Sequence, residues 1–241
     1  MGQSSDSCWQ VVELSTAPIE RLGTTGVFTT TLREALLRGA VDLVVHSCKD
    51  LPTAPVSGLQ VAAFPAREDP RDALIWPGGT SLDALPHGAR IGTGSPRRAA
   101  QLRATGRKLQ IVPMRGNVGT RLRKLADGEV DALVLAMAGL SRLGLLDAVA
   151  TPLDPSMLMP APAQGVLAVE CRTDDPVTAA QLRTLDHAPT RAAAITDAAS
   201  WPGSTPAAAR RSAPWQSWPR RPEPNRRCAC RASSPPRTAP R

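Results

Sequence analysis

Val41-Asp42-Leu43-Val44-Val45-His46-Ser47-Cys48-Lys49-Asp50-Leu51-Pro52-Thr53 is an apolar run that breaks off in a polar cluster, and Pro52 bars any regular continuation. A continuous apolar run bounded by Gly39 and Pro52 reads as a buried parallel strand. In open α/β sheets, ligands lie just beyond the carboxyl ends of such strands. Ser47, Lys49 and Asp50 therefore stand at the edge of a candidate site.

Outward from this run the chain alternates helix and strand. Residues 1–25 are polar and irregular, with Gly23 and Gly26 bracketing a turn. Phe28 to Arg38 carries Phe28, Leu32, Ala35 and Leu36 on one helical face, and Gly39 stands just past its end. Gln60–Phe64 reads as a short strand, and Arg67–Asp72 as a charged turn where the chain crosses between domains. A strand ends at Ile91, and Ser95-Pro96 opens a helix running to about Ala104, Ser95 as N-cap and Pro96 as the first helical residue. Leu109–Pro113 is strand-like, Arg115–Thr120 is a loop, Arg121–Asp127 is helical, and Ala132–Ala136 is a further buried strand. A helical turn follows over Gly139–Leu145, then a loop and strand over residues 160–172, and partial helix over 176–194. Gly39-Ala40-Val41-Asp42 and Gly128-Glu129-Val130-Asp131 each close a helix and open a strand, a weak internal repeat that fits two similar α/β units with a cleft between them.

The net charge of +8 is a property of one end. Residues 201–241 hold nine Arg and a single acid, Glu223, which is the whole excess, so residues 1–200 balance at zero. The folded part has no electrostatic bias towards nucleic acid. Nine Pro in the same 41 residues lead us to expect disorder after about Ile195. No apolar run is long enough to cross a membrane, and no secretory leader is visible. Five scattered cysteines argue for a reducing compartment, here the cytoplasm. The three histidines, His46, His87 and His187, have neither metal nor triad spacing, and no metal is expected. Gly92-Thr93-Gly94 lacks a third Gly at dinucleotide-binding spacing, and Gly-x-Ser-x-Gly is absent.

Three strand-end loops gather polar groups: Ser47/Lys49/Asp50, Thr93/Ser95/Arg97/Arg98, and Arg115/Asn117/Arg121 with Arg142 beyond. Arg97 and Arg98 sit in the first turn of a helix, where exposed N–H groups already favour anions. Cations placed there are locally unfavourable unless a carboxylate or phosphate joins them. Guanidinium is suited to bidentate carboxylate recognition. The implied ligand is a small polyanion.

Gly26-Val27-Phe28, His46–Thr53, Arg67–Asp72, Ile91–Arg98, Arg115–Leu122 and Pro162-Ala163-Gln164-Gly165 together resemble the porphobilinogen deaminase (hydroxymethylbilane synthase) family, in the family's order, from about Ser15 to Ala194. The resemblance implies a transferase of tetrapyrrole biosynthesis that condenses four porphobilinogen molecules and releases ammonia at each step. It implies an α/β fold of two periplasmic-binding-protein-like domains with the site in the cleft between them, followed by a third, α+β domain. It also implies a dipyrromethane cofactor held through a cysteine thioether, and a monomer without nucleic-acid or membrane partners. Loss of ammonia from porphobilinogen leaves an electron-poor azafulvene, and a carboxylate beside the pyrrole N–H groups would stabilise the cationic species that follow. By the family's motif that carboxylate is Asp50. Arg97, Arg98, Arg115, Arg121 and Arg142 would bind the acetate and propionate groups of cofactor and substrate, with hydrogen bonds from Ser47, Lys49, Thr93, Ser95 and Asn117.

Against this pattern three departures stand out. No Gly-Thr-Arg-x-Ser-type segment precedes Ser15, so the first domain is expected to lack its first strand and one carboxylate-binding Arg. Thr30 stands where many members have Lys, and Cys48 where Leu or Met is usual. The cofactor cysteine belongs roughly twenty residues past Arg191, yet residues 200–220 contain no Cys, and Cys228 and Cys230 lie in an Arg/Pro context unlike the family's loop. No attachment cysteine is identified. The expected organisation is domain 1 over 12–66 plus 164–183, domain 2 over 70–159, the start of domain 3 over 184–194, and an aberrant tail over 195–241. A frameshift near codon 195 would produce that tail. The competing reading is a non-catalytic anion-binding module of periplasmic-binding-protein type; a Lys-Asp pair beside the Arg set favours the enzyme.

Overall fold

Glycine in the left-handed region ends a helix cheaply, and Gly39 and Gly128, at φ 70° and 73°, do so in two places. The computed structural model describes residues 27–199, except 53, 80 and 150. Helix α1 (Val27–Leu37) stops before Gly39, and β1 (Leu43–Ser47) follows. The sheet it joins is completed by β2 (Leu59–Ala63) and β8 (Leu167–Arg172), in the order β1-β8-β2, with both pairs antiparallel. Helices α5 (Pro176–Arg183) and α6 (Ala188–Ala199) complete the described residues.

A second sheet contains β3 (Asp72–Ile75), β4 (Arg90–Thr93), β5 (Gln110–Pro113), β6 (Ala132–Ala136) and β7 (Thr151–Pro152). Its order is β5-β4-β6-β3-β7, with β4 parallel to both neighbours and β3 antiparallel to both of its own. Helices α2 (Pro96–Ala104), α3 (Val118–Ala126) and α4 (Met137–Arg142) intervene. Both faces are covered, so β6 has no polar side chain: Val134 packs with Leu74, Ile91 and Leu102 on one face, Leu133 and Leu135 with Met114 and Leu140 on the other. The chain passes from the first sheet to the second through residues 64–71 and back through 153–166. No helix among the described residues is long and apolar enough to cross a membrane.

Several expectations change. The stretch at 41–45 is not a buried parallel strand: β1 begins at Leu43 and runs antiparallel to β8. Its residues alternate, Val44 and His46 at 6% exposure but Val45 at 50%, because successive side chains of a strand point to opposite faces. Ile91 lies inside β4 rather than at its end. Helix α3 starts three residues before Arg121, since the side chain of Asn117 accepts from Thr120 N at 2.8 Å and caps it. Helix α4 starts at Met137, ahead of Gly139. Residues 195–199 are not irregular but the end of α6, held by Asp197, which accepts from Ala163 N at 3.0 Å and pairs with Arg67 at 3.3 Å. The turn at Gly23–Gly26, Cys228, Cys230 and the rest of the Arg/Pro-rich tail lie outside the described residues.

Candidate functional site

At the end of β1 the chain tightens into a 3₁₀ turn, Cys48–Asp50, closed by Leu51 N donating to Cys48 O at 3.1 Å. The turn places Ser47 and Lys49 on the wall of a cavity of about 170 Å³. Arg98 from α2, Arg121 from α3, Arg142 from α4 and Gln164 from the loop before β8 reach the same space, with Val118, Leu135 and Val166 as its apolar wall. Four cations meet there, and among the described residues no carboxylate forms part of the wall.

Asp72, the first residue of β3, is joined to this wall from within. It has no exposed surface. Its Oδ1 accepts from Arg98 Nε and Nη2 at 3.0 and 2.7 Å, and its Oδ2 from Arg97 Nη2 at 2.6 Å. Burial opposes the charge on Asp72, but Arg98 and then Arg97 prevail and hold its carboxyl below the usual range. Gln164, 1% exposed, donates Nε2 to Asp72 Oδ1 at 2.8 Å and to Pro70 O at 2.7 Å, while its Oε1 accepts from Lys49 Nζ at 3.4 Å. The turn that aims Gln164 inward is tight: Ala163 has φ 54° and Gly165 φ 89°. A Cβ on Gly165 would fall 2.4 Å from Glu68 O, so only glycine fits.

Burial, followed by repulsion from Arg98, lowers the pKa of both Lys49 and Arg121, with Asp50 and Asp72 only partly offsetting this at Lys49. Cations crowded together and depressed in this way would be relieved by an incoming carboxylate. Such a wall can accept an anion.

The residues anticipated from sequence divide into two sets. Ser47, Lys49, Arg98, Arg121 and Arg142 come together in the wall. Arg142 also donates to Gly165 O at 2.7 Å, and Arg121 Nε to Gly116 O at 2.8 Å. The others have internal partners or stand apart. Arg97 lies on Asp72 and on the carbonyl of Met159. Thr93 Oγ1 accepts from Ser95 N at 3.2 Å, Ser95 Oγ caps α2 through Arg98 N at 3.4 Å, and Asn117 caps α3. Arg115 and Asp50 are exposed and outside the wall. Asp72 and Gln164 were overlooked as site residues, although both lie inside the quoted motifs Arg67–Asp72 and Pro162–Gly165; nothing local marks a residue that bonds across the fold. The cysteines Cys48 and Cys171 do not suit a thioether anchor. Cys48 is half-buried and its thiol is pushed up to about 11 by burial, then by Asp197, while Cys171 is fully buried and also raised.

Residues 13–180 match the family model described as porphobilinogen deaminase, dipyromethane cofactor binding domain. A porphobilinogen deaminase of Nocardia farcinica is 52% identical over 187 residues, 78% of this chain and 54% of that protein. Those of Mycobacterium marinum and Mycobacterium tuberculosis are 55% and 56% identical over 185 residues, 77% of this chain and 59% and 60% of theirs. The chain thus spans less than two thirds of the length of these relatives. Among solved structures, a periplasmic substrate-binding protein of an ABC transporter from Coxiella burnetii is 21% identical, covering 69% of this chain and 78% of its own, with a TM-score of 0.40. The methionine-binding protein MetQ is 15% identical, covering 68% and 78%, with a TM-score of 0.43.

Proposed function

The chain belongs to the porphobilinogen deaminase family, and from that membership we propose that its cavity binds the acetate and propionate groups of porphobilinogen in a cytoplasmic, monomeric hydroxymethylbilane synthase. The observation that carries this is the meeting of Lys49, Arg98, Arg121 and Arg142 in a wall that holds no carboxylate among the described residues. Porphobilinogen brings two carboxylates, which can gain charge-assisted hydrogen bonds from Lys49, Arg121 and Arg142, while Arg98, already paired with Asp72, adds fixed positive charge. The two sheets are taken as the two domains, 12–66 with 164–183 and 70–159.

The overall reaction breaks the aminomethyl C–N bond, releases ammonia, joins the freed carbon to the α-carbon of the preceding pyrrole and removes that carbon's proton. Asp50, adjacent to Lys49 in the 3₁₀ turn, is assigned to stabilise positive charge at the pyrrole N–H groups and to help move the proton. Lys49, Arg121 and Arg142 orient the ring through its carboxylates, and Val118, Leu135 and Val166 exclude water from its face. The cationic wall fits the carboxylates of a dipyrromethane; when bound, that group supplies the acceptor pyrrole on which growth begins. Cys48 and Cys171, buried or half-buried with raised pKa, do not suit its thioether anchor.

Calorimetric titration of the purified chain with porphobilinogen, with Ehrlich's reagent and mass measurement to detect product and adduct, tests this reading. Binding is expected, and Arg121→Gln should weaken it roughly tenfold, the loss of one hydrogen bond between charged groups. Absence of binding would overturn the assignment. Binding without consumption would favour the anion-binding module instead.

A further inference from the structure

Asp72 presents no surface to a ligand, yet it bonds to two residues of the wall, Arg98 and Gln164, and to Arg97 beside them. One carboxylate accepts from Arg97, Arg98 and Gln164 at 2.6 to 3.0 Å. Gln164 in turn is the only side chain that links this carboxylate to Lys49 among the hydrogen bonds of the described residues. We infer that Asp72 and Gln164 are positioning residues that set how much positive charge the cavity presents: Asp72 fixes Arg98 and neutralises part of the Arg97–Arg98 pair, and Gln164 ties the Lys49 ammonium to the same carboxylate. The inference deepens the carboxylate-site reading and rests on it for its ligand.

The geometry leaves each partner with a defined capacity. Arg98 uses Nε and one face of Nη2 on Asp72 and Nη1 on Val134 O at 3.2 Å, so its guanidinium cannot rotate freely towards a ligand. It acts as a fixed plane of charge in the wall. Lys49 is more mobile by chemistry, a point charge on a flexible stem, and the acceptor at Gln164 holds it in the cavity. Without Asp72, two guanidinium groups would face Lys49 with no counter-charge between them, and Lys49 would lose its proton more readily. Removing the Gln164 acceptor works in the same direction, because a hydrogen bond accepted from the ammonium favours its charged form.

Three lysines in the whole chain, Lys49, Lys108 and Lys124, make this directly measurable. The groups facing Lys49 are Asp50 on its own turn, Arg97 and Arg98 from α2, Asp72 from β3 and Gln164 from the loop before β8, with Arg121 and Arg142 across the cavity. Lysine labelled with ¹³C at Cε, followed by NMR through an alkaline titration, reads each ammonium separately. Lys49 should titrate below the ordinary lysine range in the wild type. It should titrate lower still in Gln164→Met and Asp72→Asn, and Asp72→Glu should restore most of the wild-type midpoint. An unmoved Lys49 midpoint in folded Gln164→Met would overturn the inference. Should Asp72→Asn fail to fold, Gln164→Met decides alone, since Met keeps the volume and removes only the polar atoms.

Titration with porphobilinogen separates this idea from the reading beneath it. Gln164→Met should bind roughly tenfold more weakly than wild type, with the alkaline limb of its affinity profile moved to lower pH. Failure of the wild type to bind would overturn the carboxylate reading, while the lysine titration still decides the roles of Asp72 and Gln164. Wild-type affinity with a wild-type profile in Gln164→Met would overturn the inference alone.

Discussion

At the scale of single residues, Cys48 illustrates how position overrules type. It follows Ser47 and precedes Lys49, both in the cavity wall, and a thiol beside an ammonium is a common recipe for a reactive thiolate. Here its side chain turns instead into the cluster formed by Phe64, Ala163 and Val166, and its pKa rises to about 11 through burial and then the charge of Asp197. Iodoacetamide labelling near neutral pH with peptide mapping should therefore leave Cys48 unmodified in the native chain and modify it quickly in urea. Rapid native labelling of Cys48 would contradict the placement. Asn117 makes the complementary point. The resemblance assigned it to the ligand, yet its Oδ1 accepts from Thr120 N and caps α3.

At the scale of elements, the pairing of β1 with β8 is locked by charge as well as by backbone. Glu170 on β8 accepts from Arg33 of α1 at 2.8 and 2.6 Å and lies 3.0 Å from His46 Nε2 on β1, with all three side chains buried. Burial favours the neutral acid, but the hydrogen bonds from Arg33 and then His46 outweigh it and bring Glu170 to about 2. A depressed carboxyl stabilises the fold above the ordinary glutamate range and loses that contribution as pH falls towards about 2. Glu170→Gln should lower stability near neutrality by about 3–5 kcal/mol, because Arg33 is left buried without its counter-charge. Urea unfolding at stepped acidic pH should show that gap closing as wild-type Glu170 itself is protonated. A gap independent of pH would refute the linkage. The apolar run at 41–45 disclosed a strand but not its direction, since period and composition are set by burial on each face, and direction is set by the partner.

For the molecule as a whole, the cavity draws on the first sheet through Ser47, Lys49 and Gln164 and on the second through Arg98, Arg121 and Arg142. A ligand that binds only this assembled state stabilises the fold by mass action. Porphobilinogen at about a hundred times its dissociation constant should raise Tm by about 5–10 °C, in scanning fluorimetry, and less so at high salt as the charges are screened. An unchanged Tm under conditions where calorimetry detects binding would show that the ligand binds outside this fold. The sequence alone determined most of the helices and strands, the Ser95 cap of α2 and the family, because periodicity, N-cap chemistry and motif order are local and survive in the bare chain. Among its candidate cations, it also named the four that the structure brings together in one cavity wall. Only the tertiary structure decided which of them line the cavity and which lie on Asp72. That choice depends on contacts between residues 25, 26 and 92 positions apart, and no local pattern records which buried carboxylate a guanidinium will meet.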